Sequence, residues 1–503
     1  MLRANRLRGL SVRVSLLAAA VAASSLVAVP VAVAADYNAG PPVLASPATS
    51  PLPDPCPFQP LETAEQKNFK DTEVEPLVAV NPTDANNVIG VFQEDRWSDG
   101  GAHGLLAAVS FNGGKSYVNH WAEFSACSDK PETEEFEHLP RATDPWVSFD
   151  AAGRAYQVGL PITDGSLAGE AAITTSYSTD GGLTWSAPVD VTRQDDPAGA
   201  VFLDKQSITA DPYHAGRAWA TWIQGNLPGE NISAAKLAHA FSYRGTPMIS
   251  YTTDGGDTWS APQAMTNANL YAQGNQIVVL PDGTLIDSQA ILFKGAGIQP
   301  NLKGLYMAVM RSTDGGKHWS SPSTIAPIRT VGTTVDGEPL RVGDYLPDLV
   351  ADPRTGDLYI TWADGLGGTT NKIVLSRSTD GGRHWSTPTV VSHHNTAQSF
   401  NHAVAIANDG ELAVLYYDTY RNDSAPGIPT DVYVRHSSDH GATWSEPQRI
   451  SWFDFANAPI ARGHFVGDYQ GLAPIGARGL LAFFGAAGDT PDSANVISIR
   501  LDR

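Results

Sequence analysis

The feature that most constrains this chain is a short motif that returns along nearly its whole length. It reads "SYSTDGGLTWSAP" from Ser176, "SYTTDGGDTWSAP" from Ser250, "MRSTDGGKHWSSP" from Met310, "SRSTDGGRHWSTP" from Ser376 and "RHSSDHGATWSEP" from Arg435. A worn copy, "VSFNGGKSYV" from Val109, puts Asn112 where the others have Asp180, Asp254, Asp314, Asp380 and Asp439. Successive key positions are 59 to 74 residues apart. Self-similarity at that spacing means a repeated supersecondary unit. A strand-like run such as "KIVLSRS" precedes each copy, so each copy reads as the turn of a hairpin. The aspartate carboxylate accepts hydrogen bonds from amides just ahead of it, and glycine allows the positive φ of the turn. The tryptophan is expected to bury its ring against the next unit. An active site is not built six times, so these aspartates read as structural.

A second element lies between the copies: strand, turn, strand. It runs from "EPLVAVNPTDANNVIGVFQ" at Glu75 through "DPWVSFDAAGRAYQVGL" at Asp144 to "YQGLAPIGARGLLAFFG" at Tyr469, seven times in all. Two hairpins make a four-stranded antiparallel unit, and such units set around an axis form a β-propeller. The expectation is an all-β propeller over residues 71–503 with seven blades, six being the alternative. The repeated turns would join third and fourth strands, and almost no helix is expected. The seventh unit lacks its last strand, which the N-terminal segment would supply, around Phe69, closing the ring.

The start of the chain reads separately. Arg3, Arg6, Arg8 and Arg13 precede "SLLAAAVAASSLVAVPVAVAA", the pattern of a secretory signal peptide over residues 1–35, cleaved near Ala34 or Ala35. A membrane anchor is the alternative, and Pro30 with the many alanines makes a poor span. No later stretch would span a membrane, so a secreted, soluble, monomeric protein is expected. Residues 36–70 begin as a Pro/Ala/Ser-rich leader. The 33 basic residues include the four arginines of the signal, against 53 acidic ones, so the processed chain carries −24. That disfavours nucleic acid and anionic membranes as partners, which need basic surface. An exported chain with two cysteines is expected to pair Cys56 with Cys127; two free thiols are the alternative.

The S-x-D-x-G-x-x-W repeat resembles the Asp-box (BNR) repeat of sialidases and related propellers, over nearly everything after Glu75. The resemblance implies an exo-acting glycoside hydrolase that holds a sugar carboxylate with three arginines, protonates with an aspartate and attacks with a tyrosine. "VFQEDRWSDGG" is similar to the family's Glu-x-Arg segment. It implies Arg96 as one arginine and Asp99 as acid/base, with Asp95 its rival. "GDYQGLAPI" resembles the strand of the nucleophile, implying Tyr469, with Asp468 beside it. Arg341 and Arg462 are candidates for the remaining arginines. The sequence departs from the pattern at Glu75, where the family has arginine. Gly274 stands where the family has the tyrosine's glutamate, and Gln289 stands in place of another arginine.

Propeller ligands sit where inner strands begin. That adds Asp144, Asp344 and Tyr345 as substrate-binding candidates, with Glu75, Asp204, Lys205, Asn401 and His402 in the same position. Carboxylates gathered there suit acid/base work or a hard cation such as Ca²⁺, though the metal question is open and no cofactor is required. "VGDY" occurs at both Val342 and Val466, so it is either a repeated turn or two walls of one pocket. The expected partner is a glycan or glycoconjugate. A non-catalytic propeller binding a glycan or a protein at its channel mouth is the second expectation.

Overall fold

Strand-forming runs alternate with Gly- and Asp-rich turns throughout, and the chain folds accordingly into antiparallel meanders. A computed structural model describes residues 36–56, 62–63, 66–128, 139–165, 169–195, 201–226, 244–266, 270–294, 303–422 and 426–503. The 1–35 leader lies outside them. Among the described residues there is no α-helix, one 3₁₀ turn at Phe455–Asn457, and no helix long and apolar enough to cross a membrane.

One meander shows the plan. Arg141–Phe149, Ala155–Ile162, Ala171–Ser178 and Val189–Gln194 pair in chain order. The first strands of the meanders are Val74–Val80, Arg141–Phe149, Val201–Ala210, Leu270–Val279, Asp348–Ala351, Ser399–Ile406 and Gly471–Ile475. Each lies against the next, and Gly471–Ile475 lies against Val74–Val80. Apolar side chains fill the gaps between neighbouring sheets. Between the last and the first, Phe483 and Val496 pack with Val78, Phe92 and Leu106. A Cβ on Gly90 would stand 2.0 Å from Phe483 Cζ, so the ring of Phe483 occupies the space that glycine leaves.

The outer strand of the last meander is not the segment around Phe69. Asn38–Ala39 and Val43–Leu44 pair with Ala494–Asp502. Phe69 instead pairs with Arg96 at the far end of Val88–Trp97. Polar and Pro-rich though it is, the stretch from residue 36 buries Tyr37, Ala45 and Leu52, and that apolar contact docks it. A disulfide joins Cys56 to Cys127, with Cα atoms 5.2 Å apart.

Each repeated turn follows the third strand of its meander. After Ala171–Ser178, Asp180 Oδ1 accepts from Thr184 N at 2.9 Å and from Ser178 Oγ at 2.8 Å, while Gly182 N donates to Ser178 Oγ at 2.8 Å. Gly181 and Gly182 sit at φ 76° and 98°, where a side chain would be strained. Asn112 keeps the same bonds with its amide oxygen, accepting from Lys115 N and Ser116 N at 3.0 Å each. These carboxylates are satisfied locally: hydrogen bonds from Thr258 hold Asp254 down at about 2, and those from His318 do the same for Asp314. The tryptophans correct one expectation. Trp185 packs with Ile89 and Val109, and Trp259 with Val158 and Leu160, so each ring meets the preceding meander, not the next. The turn folds back over the neighbour already laid down.

Candidate functional site

Five of the first strands break register at the same point. The shifts fall at Val74/Leu77, Thr143/Trp146, Asp204/Ser207, Gln273/Gln276 and Phe400/Ala403. Inside each shift sits a residue with left-handed backbone: Glu75 (56°), Asp144 (53°), Lys205 (48°), Gly274 (71°) and Asn401 (41°). Four of the five are not glycine, and each such conformation costs on the order of 1 kcal/mol. Bulges re-aim side chains. Here they gather Glu75, Asp144 and Lys205 from three consecutive meanders.

Lys205 is the hub. Its Nζ lies 2.9 Å from Asp144 Oδ1, 2.8 Å from Asp468 Oδ2 and 3.7 Å from Glu75 Oε1. Burial works against the ammonium, but Asp144, Asp468, Glu75 and Asp204 outweigh it and raise Lys205 well above its ordinary value. Asp468 goes the other way: burial opposes its charge, yet Lys205, Arg341 and Arg96 hold it far below the usual carboxylate range. Glu75 receives a bond from Gln93 Nε2 and is pushed up to about 8, by burial first and then by Asp144. The ammonium thus sits among the carboxylates where a cation would be expected.

Beside this cluster opens a cavity of about 110 Å³, lined by Arg96, Arg341 and Arg462 together with Asp144 and Asp204. Arg96 Nη1 donates to Gln93 Oε1 at 2.5 Å, and burial with the neighbouring Arg341 lowers it to about 10. Phe465 stacks under both guanidiniums, 5.0 Å from Arg96 Cζ and 4.0 Å from Arg341 Cζ. Arg341 Nη2 is 3.6 Å from Asp468. Arg462 donates to the carbonyls of Asp99 and Gly165 at 2.6 and 2.9 Å. Among the described residues, neither Arg96 nor Arg462 forms an ion pair with a carboxylate. Asp204 is half-buried, and its desolvation raises it despite the adjacent Lys205.

Tyr469 lies beside Lys205, whose Nζ is 5.6 Å from its ring centroid. It lines a smaller cavity with Asp144, Trp146, Lys205 and Gly274. Its hydroxyl donates to Pro145 O at 3.2 Å, and its ring meets Trp146 with centroids 5.4 Å apart. Burial, then the charges of Glu75, Asp144 and Asp468, raise the phenol well above its usual value.

The structure therefore brings Arg96, Arg341, Arg462 and Asp144 to one pocket, with Asp468 and Tyr469 adjoining. Three further candidates, Asp99, Asp344 and Tyr345, line neither cavity. Asp99 is absent from the pocket wall; its carboxylate is held by Arg141 Nη1 at 2.8 Å and by Gln66 Nε2 at 2.9 Å, and it is the carbonyl of Asp99 that braces Arg462. Asp344 accepts from Thr333 Oγ1 at 2.7 Å and Asn371 Nδ2 at 3.3 Å, bracing its own loop. Tyr345 is 36% exposed, and desolvation pushes its phenol up. The two Val-Gly-Asp-Tyr turns thus diverge: one sends Asp468 to Lys205, the other ties Asp344 to a loop. Sequence reasoning missed Arg141, Gln93 and Phe465. Arg141 is fully buried and stacks 4.1 Å from the Trp97 ring. The only signal for it was "PRATDPW", three residues ahead of Asp144.

Family models for a BNR repeat-like domain and for the BNR/Asp-box repeat match residues 356–471 and 176–187. No curated protein matches the chain. Among solved structures, the Penicillium chrysogenum α-L-arabinanase complexed with arabinobiose is 13% identical, covers 75% of this chain and 93% of its own, and superposes with a TM-score of 0.45. The α-L-arabinofuranosidase Arb93A of Fusarium graminearum is 12% identical over 76% and 93%, at 0.43. The Trypanosoma rangeli sialidase is 13% identical over 74% and 55%, at 0.44.

Proposed function

The chain belongs to the sialidase-like BNR/Asp-box repeat family, and from that premise we propose that it is a secreted, exo-acting glycoside hydrolase for a terminal sugar that bears a carboxylate. The observation that carries this reading is the convergence of Arg96, Arg341 and Arg462 on one pocket. Guanidinium groups match a carboxylate with paired N–H donors, and two of the three have no carboxylate partner among the described residues. The cyclic order of the first strands and the seven four-stranded meanders among the described residues support a ring of seven blades, with the pocket at the channel mouth. The leader pattern and the Cys56–Cys127 disulfide support export to an oxidising compartment.

In this reading Asp204, whose carboxyl burial raises, gives its proton to the leaving oxygen, the role the sequence offered to Asp99. Tyr469 attacks the anomeric carbon and passes its proton to Glu75, the carboxylate whose charge acts most on it. Water then releases the sugar from the tyrosine. Lys205 and Asp468 hold Glu75 and Asp144 in place.

One observation favours the second reading, a non-catalytic glycan-binding propeller. The Tyr469 hydroxyl is spent on Pro145 O, and its surroundings keep it a neutral phenol. A panel of fluorogenic glycosides separates the two: a sialoside, a uronide and neutral aryl glycosides including an arabinoside. Hydrolysis of an acidic member, abolished by Tyr469→Phe and Asp204→Asn and weakened by Arg462→Ala, supports the enzyme. Binding of acidic sugars with no turnover of any glycoside supports the binder. Turnover of neutral glycosides that is indifferent to Arg462→Ala refutes the carboxylate reading.

A further inference from the structure

A second acidic group lies away from the channel, where the strap before the first meander meets the end of Val88–Trp97. Asp71, Glu94 and Asp95 each offer a carboxylate oxygen, and the three oxygens lie within 4.8 Å of one another. Strand alternation would send Glu94 and Asp95 to opposite faces. The left-handed backbone at Asp95, φ 60°, breaks that alternation.

The decisive observation is an unmet need for positive charge. Glu94 is 0% exposed and neighbouring Glu73 1%, and none of their four carboxylate oxygens has a hydrogen-bond partner. Burial raises Glu73 and Glu94, and the nearby hydroxyls of Ser46 and Ser50 offset only part of that; Ser50 Oγ donates to Asp95 Oδ2 at 2.8 Å, and neither glutamate has a partner in hydrogen-bond geometry. Other polar contacts stabilise the aspartates alone: Ser50 N on Asp71 Oδ1 at 2.7 Å, Asp71 N on Asp95 Oδ1 at 2.8 Å, and His103 Nδ1 3.1 Å from Asp95 Oδ2. The lysines nearby are engaged outward, Lys70 with Asp54 at 2.5 Å and Lys67 with Asp492 at 2.7 Å. A buried carboxylate without a partner is expensive, and coordination to a metal is one of the ways proteins meet that cost.

We propose that Asp71, Glu94 and Asp95, with Glu73 beside them, form a Ca²⁺ site that clips the strap at Ser50 to the first meander. The donors are all oxygen, several are carboxylates, and Asp71 opens the site to water, which suits a large hard cation better than zinc or Mg²⁺. This site is independent of the arginine pocket.

The test uses the purified full-length processed chain, freed of metal with chelator. CaCl₂ titrated calorimetrically is expected to bind saturably at one site, with a dissociation constant between about 10⁻⁷ and 10⁻³ M, and to raise the thermal midpoint. Tb³⁺ at the same site is expected to luminesce on excitation of Trp97, whose ring lies 5.7 Å from that of His103. Glu94→Gln and the solvent-facing Asp71→Asn should each weaken Ca²⁺ binding by about 10-fold or more. Asp71→Asn keeps the test sound if the buried variant misfolds. No binding heat and no thermal shift at 10⁻² M Ca²⁺, or a shift left intact in Asp71→Asn, overturns the site, the latter showing adventitious binding to the acidic surface. Because these readouts need no turnover, they stand apart from any failure of the hydrolase reading.

Discussion

Replacing Lys205 by methionine removes the one ammonium that Asp144, Asp468 and Glu75 share while keeping most of its volume. At 2.8–2.9 Å an ion pair is worth several kcal/mol even at an effective dielectric of about 20, but desolvating the ammonium returns most of that. What the variant loses is compensation for carboxylates that stay buried, and breaking such a cluster costs about 3–5 kcal/mol. The pH dependence follows from the shifts. Lys205 is raised, so its contribution is complete below its ordinary value and is lost only as pH rises beyond it. Asp468 is depressed, so its contribution holds above the usual carboxylate range and is lost as pH falls toward its folded value. The wild-type advantage should therefore hold from about pH 5 to 7, below the titration of Glu75, and shrink in strong acid, where both proteins have protonated carboxylates. Denaturant unfolding of wild type and Lys205→Met at pH 7 and pH 3 measures it. A difference below about 1 kcal/mol at pH 7, or the same difference at both pH values, would refute the account of Lys205 as hub.

Other expectations are as direct. If Glu75 takes the tyrosine's proton, the acidic limb of kcat/KM against pH lies near 8, where burial and Asp144 have pushed it; a limb at pH 4–5 excludes that role. Gly90→Val should destabilise the fold by about 1–3 kcal/mol or more through the clash with Phe483, and adding Phe483→Leu should return part of the loss in thermal melts. Reducing Cys56–Cys127, or replacing both cysteines by serine, should cost about 2–5 kcal/mol and loosen the strap, seen as faster amide exchange over residues 36–56. Asp254 and Asp314 are held at about 2, so their turns should stay closed until the pH drops below about 4, and the amides of Thr258 and His318 should then lose protection together.

Amino-acid order alone determined the parts whose physics is local. A box turn closes within four residues, from Ser178 to Gly182 and from Asp180 to Thr184, so its chemistry is written in one short string and can be read there. The same holds for the alternating runs that become strands. Tertiary structure decided the rest. Lys205 meets Asp468 across 263 positions, and Arg462 reaches the carbonyl of Asp99 across 363. Which charges converge depends on how neighbouring sheets are oriented against one another, and no local spacing encodes that orientation. Closing strand and tryptophan direction belong to the same class: residues 38–44 rather than Phe69 complete the last sheet because apolar burial between distant segments, not hydrogen-bonding pattern, chooses the partner.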